Sequence, residues 1–136
     1  MCSSDNLSKF CNAILSSQLK NILNGKDDGV TVFAPTNGAM ERLKEVLDDD
    51  GGSMRDAVLF HVIQDKIKYA SDLRCTEKQS MANGKDSRTV CTSKGVFQKG
   101  SGNRRNGMPK IVQTDIKSCN GVVHIIDDYA MLYKGQ

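Results

Sequence analysis

The chain has no C-x-x-C pair, only two histidines and no long apolar run. Each shortage removes a class of protein. Without closely spaced cysteines or a histidine cluster, a zinc site lacks its ligands. His61 and His124 both sit inside apolar stretches, a poor start for a nucleophile with its base or for a metal-assisted hydrolase. The apolar runs stop well short of the ~20 residues that cross a bilayer, so no membrane insertion by this stretch is expected. Charge of one sign is scarce as well: 19 basic and 16 acidic residues interleave to a net +3, without the excess of a dedicated nucleic-acid binder. Aromatic residues make up 5%, which gives an apolar ligand groove little support. Asp127-Asp128 is a carboxylate pair beside an apolar strand pattern, but neighbouring strand residues face opposite ways and are badly placed to share a proton. The protein is therefore not expected to be an enzyme, and no cofactor or metal is expected.

What is present fits one globular domain over residues 1–136, with 38% hydrophobic content and length enough to bury its own core. Five cysteines, at 2, 11, 75, 91 and 119, point to disulfides and an oxidising compartment. Met1 runs directly into Cys2-Ser3-Ser4-Asp5 with no apolar signal region, as an added start on a fragment lacking its signal peptide would.

Taken in order, apolar residues from Leu7 to Leu23 recur at helical spacing, with Ser4 to Asn6 as caps and Gly25 as a stop. Asn6-Leu7-Ser8 is a glycosylation sequon, which makes Asn6 a candidate acceptor. Val30 to Ala34 reads as a strand ended by Pro35, after which Thr36 or Asn37 caps a helix through Leu47. Asp48-Asp49-Asp50-Gly51-Gly52 looks like a calcium loop, but Gly52 and Leu59 fall where such a loop needs ligands, and a solvated turn accounts for it better. Ser53 and Asp56 form a capping pair for a short helix leading into Leu59-Phe60-His61-Val62-Ile63, and a strand is expected at 66–69.

Beyond Cys75 the pattern changes to short β segments at 75–82, 87–92 and 96–99, the first two joined by a turn at Asn83-Gly84. That hairpin would set Cys75 opposite Cys91, so a Cys75–Cys91 bridge is expected. Cys2, Cys11 and Cys119 cannot all pair within the chain. The run from Gly100 to Gly107 fails both phosphate motifs, since Ser101 stands in place of Lys-Ser/Thr and Arg105 in place of a third glycine. It reads as a flexible exposed loop whose Arg104-Arg105 pair is free to touch an acidic partner. Residues 110–116 supply a strand into the turn at Asn120-Gly121, and 127–132 a last half-exposed turn or strand.

The turn opens the run Asn120-Gly121-Val122-Val123-His124-Ile125-Ile126-Asp127, apolar on both faces except for one imidazole. It should form a central strand covered on both sides, with His124 hydrogen-bonded inside. Together with Thr31-Val32-Phe33-Ala34-Pro35-Thr36-Asn37 and Leu59-Phe60-His61-Val62-Ile63, in this order and at this spacing, it resembles fasciclin I-like domains. The resemblance implies an α+β fold, a β-wedge of about seven strands with several packed helices, in which Thr36, Asn37, Asn120, Gly121 and His124 are structural. It also implies a secreted or cell-surface module of adhesion or matrix interaction, binding a protein or glycan partner.

Two candidate contact pairs carry over position by position. An Asp-Ile pair ahead of the third segment is associated with integrin binding in animal matrix members and stands here as Asp115-Ile116, with Gln113-Thr114 and Lys117 departing from the surrounding pattern. A Tyr-His pair in the second segment has the same association and reads here Phe60-His61, without the hydroxyl; Phe60, Ile116 and His61 are also apt core residues by side-chain type. The cysteine positions and Met81-Ala82-Asn83-Gly84 resemble algal members, some of which bind carotenoids. Carriage of an apolar molecule such as a carotenoid is therefore the alternative expectation.

Overall fold

The computed structural model describes residues 4–19, 21, 29–118 and 120–133. Its centre is a pair of apolar strands, β1 (Val30–Pro35) and β7 (Gly121–Asp127), which run parallel in the register Val30↔Gly121 to Pro35↔Ile126. Every residue of β1 is buried, and Val122, Val123, His124 and Ile126 are buried in β7. A strand so placed is covered on both faces, which is what its near-continuous apolar sequence demands.

Five further strands complete one sheet in the order β2-β1-β7-β6-β5-β4-β3. They are β2 (Val62–Gln64), β3 (Lys78–Ser80), β4 (Asp86–Thr92), β5 (Gly95–Gly100) and β6 (Lys110–Ser118). All pairs except β1–β7 are antiparallel. β5 and β6 share only the pair Phe97↔Lys110, so β3-β4-β5 forms an arm on the β2-β1-β7-β6 body. The arm's inner face is polar and satisfied: Thr89 Oγ1 donates to Gln98 Oε1 at 2.6 Å, and Gln98 Nε2 donates to the Ser87 hydroxyl at 2.8 Å.

Helices α1 (Ser8–Ser16), α2 (Asn37–Asp50) and α3 (Met54–Leu59) cover the body, burying Phe10, Ile14, Met40, Leu43 and Val58 against β1 and β7. Thr36 is the N-cap of α2, accepting from the Ala39 N–H at 3.4 Å, while its own hydroxyl donates to Asp127 Oδ1 at 2.6 Å. That bond holds the Asp127 carboxyl below its ordinary range. Asn37 ties two helices together: its amide donates to Asp5 O and Ser8 Oγ, and its Oδ1 accepts from the Lys9 N–H. The Thr36-Asn37 dipeptide thus joins the last strand, the first helix and the second.

Several expected boundaries move. The first helix ends at Ser16, followed by Gln18 at φ 58° and buried Leu19; the expected stop at Gly25 lies outside the described residues. The second runs three residues past Leu47, through the expected acidic turn, and stops at Gly51 in the left-handed region with its N–H on Leu47 O. Residues 66–69 are not a strand. That edge of β1 is already taken by β2, and the segment instead crosses one face of the sheet, with Thr31 Oγ1 donating to Lys66 O and accepting from the Lys68 N–H, both at 2.8 Å. Of the expected 75–82 segment only Lys78–Ser80 is strand, because Thr76 at φ 71° breaks the ladder.

The Cys75–Cys91 disulfide forms, with Cα atoms 5.5 Å apart, in the register set by Lys78↔Arg88 and Ser80↔Asp86. Cys11 is disulfide-bonded as well; Cys2 and Cys119 lie outside the described residues. Asn120 and Gly121 are shifted by one position from the expected turn, for Ser118 pairs directly with Gly121 and makes Gly121 the first residue of β7. The last segment is half-exposed as expected, with Asp128 exposed and Asp127, Tyr129 and Leu132 part-buried, while Ala130 and Met131 anchor it in the core.

Candidate functional site

β6 is the strand that fits its neighbour least well. Its register against β7 slips between Ile111 and Gln113 and again between Gln113 and Ile116. Extra residues in one strand bend it and aim side chains outward. Residues 112–115 are all exposed, Val112 by 51%, and Asp115 sits at the second slip with φ 59°, a conformation that aspartate tolerates better than most side chains.

Asp115 is held from both sides. Its N–H donates to Nδ1 of His124 at 3.3 Å, and its Oδ1 accepts from the Ala70 N–H at 2.8 Å. His124 is fully buried, stacks obliquely on Phe33 with ring centroids 5.5 Å apart, and gives its Nε2 hydrogen to Lys68 O at 2.7 Å. Both ring nitrogens are therefore engaged as a neutral imidazole can engage them. The Asp115 side chain remains 43% exposed, with Ile116 half-buried beside it against Val123. The result is a carboxylate presented to solvent on a fixed backbone.

Phe60 and His61 behave differently. Both are fully buried, so neither offers a contact surface to a partner. His61 Nδ1–H donates to Ala57 O at 2.6 Å, Nε2 accepts from the Met131 N–H at 2.9 Å, and burial pushes its pKa down to about 4. The pair links α3 to the segment after β7, a packing role that the missing tyrosine hydroxyl does not affect.

The loop after β5 is not a flexible tether. Buried Asn103 organises it, accepting at Oδ1 from the Gly100 N–H (3.0 Å) and the Leu132 N–H (2.8 Å) and donating from Nδ2 to Gly107 O (3.0 Å) and Ala130 O (3.1 Å). One amide thus satisfies four backbone groups, while Arg104 and Arg105 project into solvent. Sequence inspection passed over Asn103 because a polar residue among glycines and arginines has the composition of a loop; nothing local shows that its partners lie 27 and 29 residues away. Arg105 borders a cleft of about 560 Å³ with Lys94, Lys110, Phe97 and Tyr129. Lys110 begins β6 and Asp115 lies just before Ile116, whose partner Val123 is four residues, about 13 Å, along β7 from the partner of Lys110. The structure does not bring the arginine pair and Asp115 together. Asn6 is exposed in a single 3-10 turn, Asp5–Leu7. Among the described residues no group of three or more His, Cys, Asp or Glu is arranged to hold a metal ion.

The family model for the fasciclin domain matches residues 5–131, from the first turn to the buried Met131. The chain belongs to the fasciclin domain family. Human periostin is 33% identical over 125 residues, 90% of this chain but 14% of periostin. A solved fasciclin domain pair from the insect cell adhesion molecule fasciclin I superposes with a TM-score of 0.71 at 23% identity, covering 93% of this chain and 45% of that one. The seven-stranded sheet with its helices is the fasciclin fold, and the chain spans a small part of periostin and under half of the solved pair. No helix among the described residues of this fasciclin domain is long and apolar enough to cross a membrane.

Proposed function

We propose that this fasciclin domain is an extracellular adhesion module that docks a matrix or cell-surface protein on the exposed face of β6, with Asp115 at the centre of the contact. The observation that carries this reading is the Asp115 bulge, where an exposed carboxylate is locked by buried His124 on one side and by Ala70 on the other. Preorganisation of this kind lowers the ordering cost of binding. Exposed Val112 on the same strand adds apolar area, and Arg104-Arg105 on their pinned loop form a separate basic contact. Membership of a family that includes an insect cell adhesion molecule supports an adhesive role, and the solvent-exposed Cys75–Cys91 bridge supports an oxidising, extracellular setting.

The test is attachment of cells or matrix-coated beads to surfaces bearing the purified domain. Asp115→Asn keeps the acceptor for Ala70 and the backbone conformation while removing the charge. Attachment should fall several-fold with Asp115→Asn and to a smaller extent with Arg104→Ala/Arg105→Ala. Attachment undiminished in the variant carrying all three changes would overturn this choice of contact residues.

A further inference from the structure

The outer face of the β3-β4-β5 arm carries an arrangement that folding alone would avoid. The registers Lys78↔Arg88 and Arg88↔Lys99 place three cations directly opposite one another on adjacent strands. Paired residues on neighbouring strands share a face, with strands about 4.8 Å apart, and like charges so placed are destabilising. Lys85 in the adjoining turn is a fourth cation on the same groove of about 430 Å³, which Ser87, Ser101 and Tyr133 also line. No ion pair among the described residues reaches Lys78, Lys85, Arg88 or Lys99. Asp86, the carboxylate on this groove, is instead hydrogen-bonded by the Ser80 hydroxyl at 3.4 Å. The row is also stiffly mounted: the Cys75–Cys91 bridge clamps β3 to β4 three residues from the Lys78↔Arg88 pair, and Arg88 Nη1 donates to Thr76 O at 2.5 Å.

We propose that this groove binds a sulfated, polyanionic glycan, with Lys78, Arg88 and Lys99 meeting successive anionic groups and Lys85 closing one side. The inference rests on the extracellular reading of the domain but not on the Asp115 contact. Four cations against one carboxylate in a concave strip call for a ligand with several anionic groups. A lipid surface fits less well, because no exposed apolar side chain lines the groove to enter the acyl boundary. A nucleic acid fits less well too: bases need free aromatic faces, and the one ring present, Tyr133, packs its edge against Phe60 and lies under Lys85 Nζ at 5.6 Å.

The test is binding of the intact domain to immobilised heparin, measured against salt. Lys78→Glu/Lys99→Glu turns the row into Glu-Arg-Glu, which should hold or raise the melting temperature while weakening heparin binding about tenfold or more at moderate salt and flattening the salt dependence. The control Lys44→Glu/Lys94→Glu, with the same net charge, should bind nearly as the wild type does. Desulfated heparin, duplex DNA and phosphatidylserine vesicles should each bind more weakly than heparin. The proposal fails if the two double variants lose affinity equally, or if desulfated heparin, DNA or vesicles bind as tightly as heparin. Cell attachment measured on the same proteins separates the two ideas: heparin binding lost with attachment intact implicates the row alone, and attachment lost in Asp115→Asn with heparin binding intact implicates β6 alone.

Discussion

The backbone N–H of Asp115, on an exposed bulge, donates to the ring of His124, which has no solvent exposure at all. A core residue and a surface residue thus form one unit. Replacing His124 by Leu would leave the Asp115 N–H and Lys68 O without partners, at a cost of about 1–3 kcal/mol. It should also release the bulge, so that Asp115 loses its fixed conformation although its own side chain is untouched. Thermal unfolding checks the first effect and cell attachment the second; an unchanged melting temperature would show that the imidazole is not a structural acceptor.

His61 makes stability depend on pH. In the unfolded chain it titrates near 6.5, whereas in the folded domain burial lowers the pKa to about 4. Between those values the unfolded state binds a proton that the native state refuses, so stability falls as pH drops from about 6.5 towards 4, by on the order of 3 kcal/mol in all. Above pH 6.5 this residue contributes no slope. Denaturant midpoints at pH 7.5 and 4.5 measure the loss, and His61→Asn should remove most of the difference between them.

Asn103→Ala should be among the costlier polar substitutions in the domain. It strands two backbone N–H groups and two carbonyls, of Gly100, Leu132, Gly107 and Ala130, and the expected loss is about 2–4 kcal/mol. Hydrogen exchange should then speed up at Gly100 and Leu132 together, although 32 residues separate them. Exchange confined to the loop would contradict the role given to the amide.

Much of this was legible in the chain. The alternation and apolar runs of β1 and β7, the Asn83-Gly84 hairpin and the cysteines symmetric about it are all local signals, and each led to the right element. What the sequence concealed depends on distant partners. Nothing in Lys66 to Tyr69 says that the edge of β1 is already occupied, and nothing in the composition of Gly100 to Gly107 shows that Asn103 reaches the last turn of the chain. The Lys78-Arg88-Lys99 row was hidden for the same reason: it exists only in the register of three strands, while along the chain those residues are ordinary scattered charges.

Removing the Cys75–Cys91 bridge with Cys75→Ser/Cys91→Ser should lower stability by about 3 kcal/mol, as closure of a short loop predicts for a separation of 16 residues. The loss should be local in character. β3 is a three-residue edge strand, and without the clamp Lys78 is free to leave the row, so heparin affinity should drop along with the melting temperature. A stability loss with full heparin affinity would mean that β4 and β5 suffice for the site.

Gly121 is required for a reason other than the one its sequence context suggests. Next to Asn120 it reads as a turn glycine, but it is already in β7, paired to Ser118 on one side and to Val30 on the other. A Cβ at this position would lie 1.8 Å from Val30 O, an overlap that no rotamer change relieves because the obstacle is backbone. Gly121→Ala must therefore push β1 and β7 apart at the start of their parallel register, where Val30 N–H also bonds Asn120 O at 2.9 Å. The expected loss is at least about 3 kcal/mol, above the usual overpacking range for a single methyl. Asn120→Ala, which alters the turn and leaves the strand contact alone, should cost about 1 kcal/mol or less. Melting temperatures of the two variants decide the matter: equal losses would return Gly121 to a turn role, and a large gap would fix it as the point of closest approach between the two central strands.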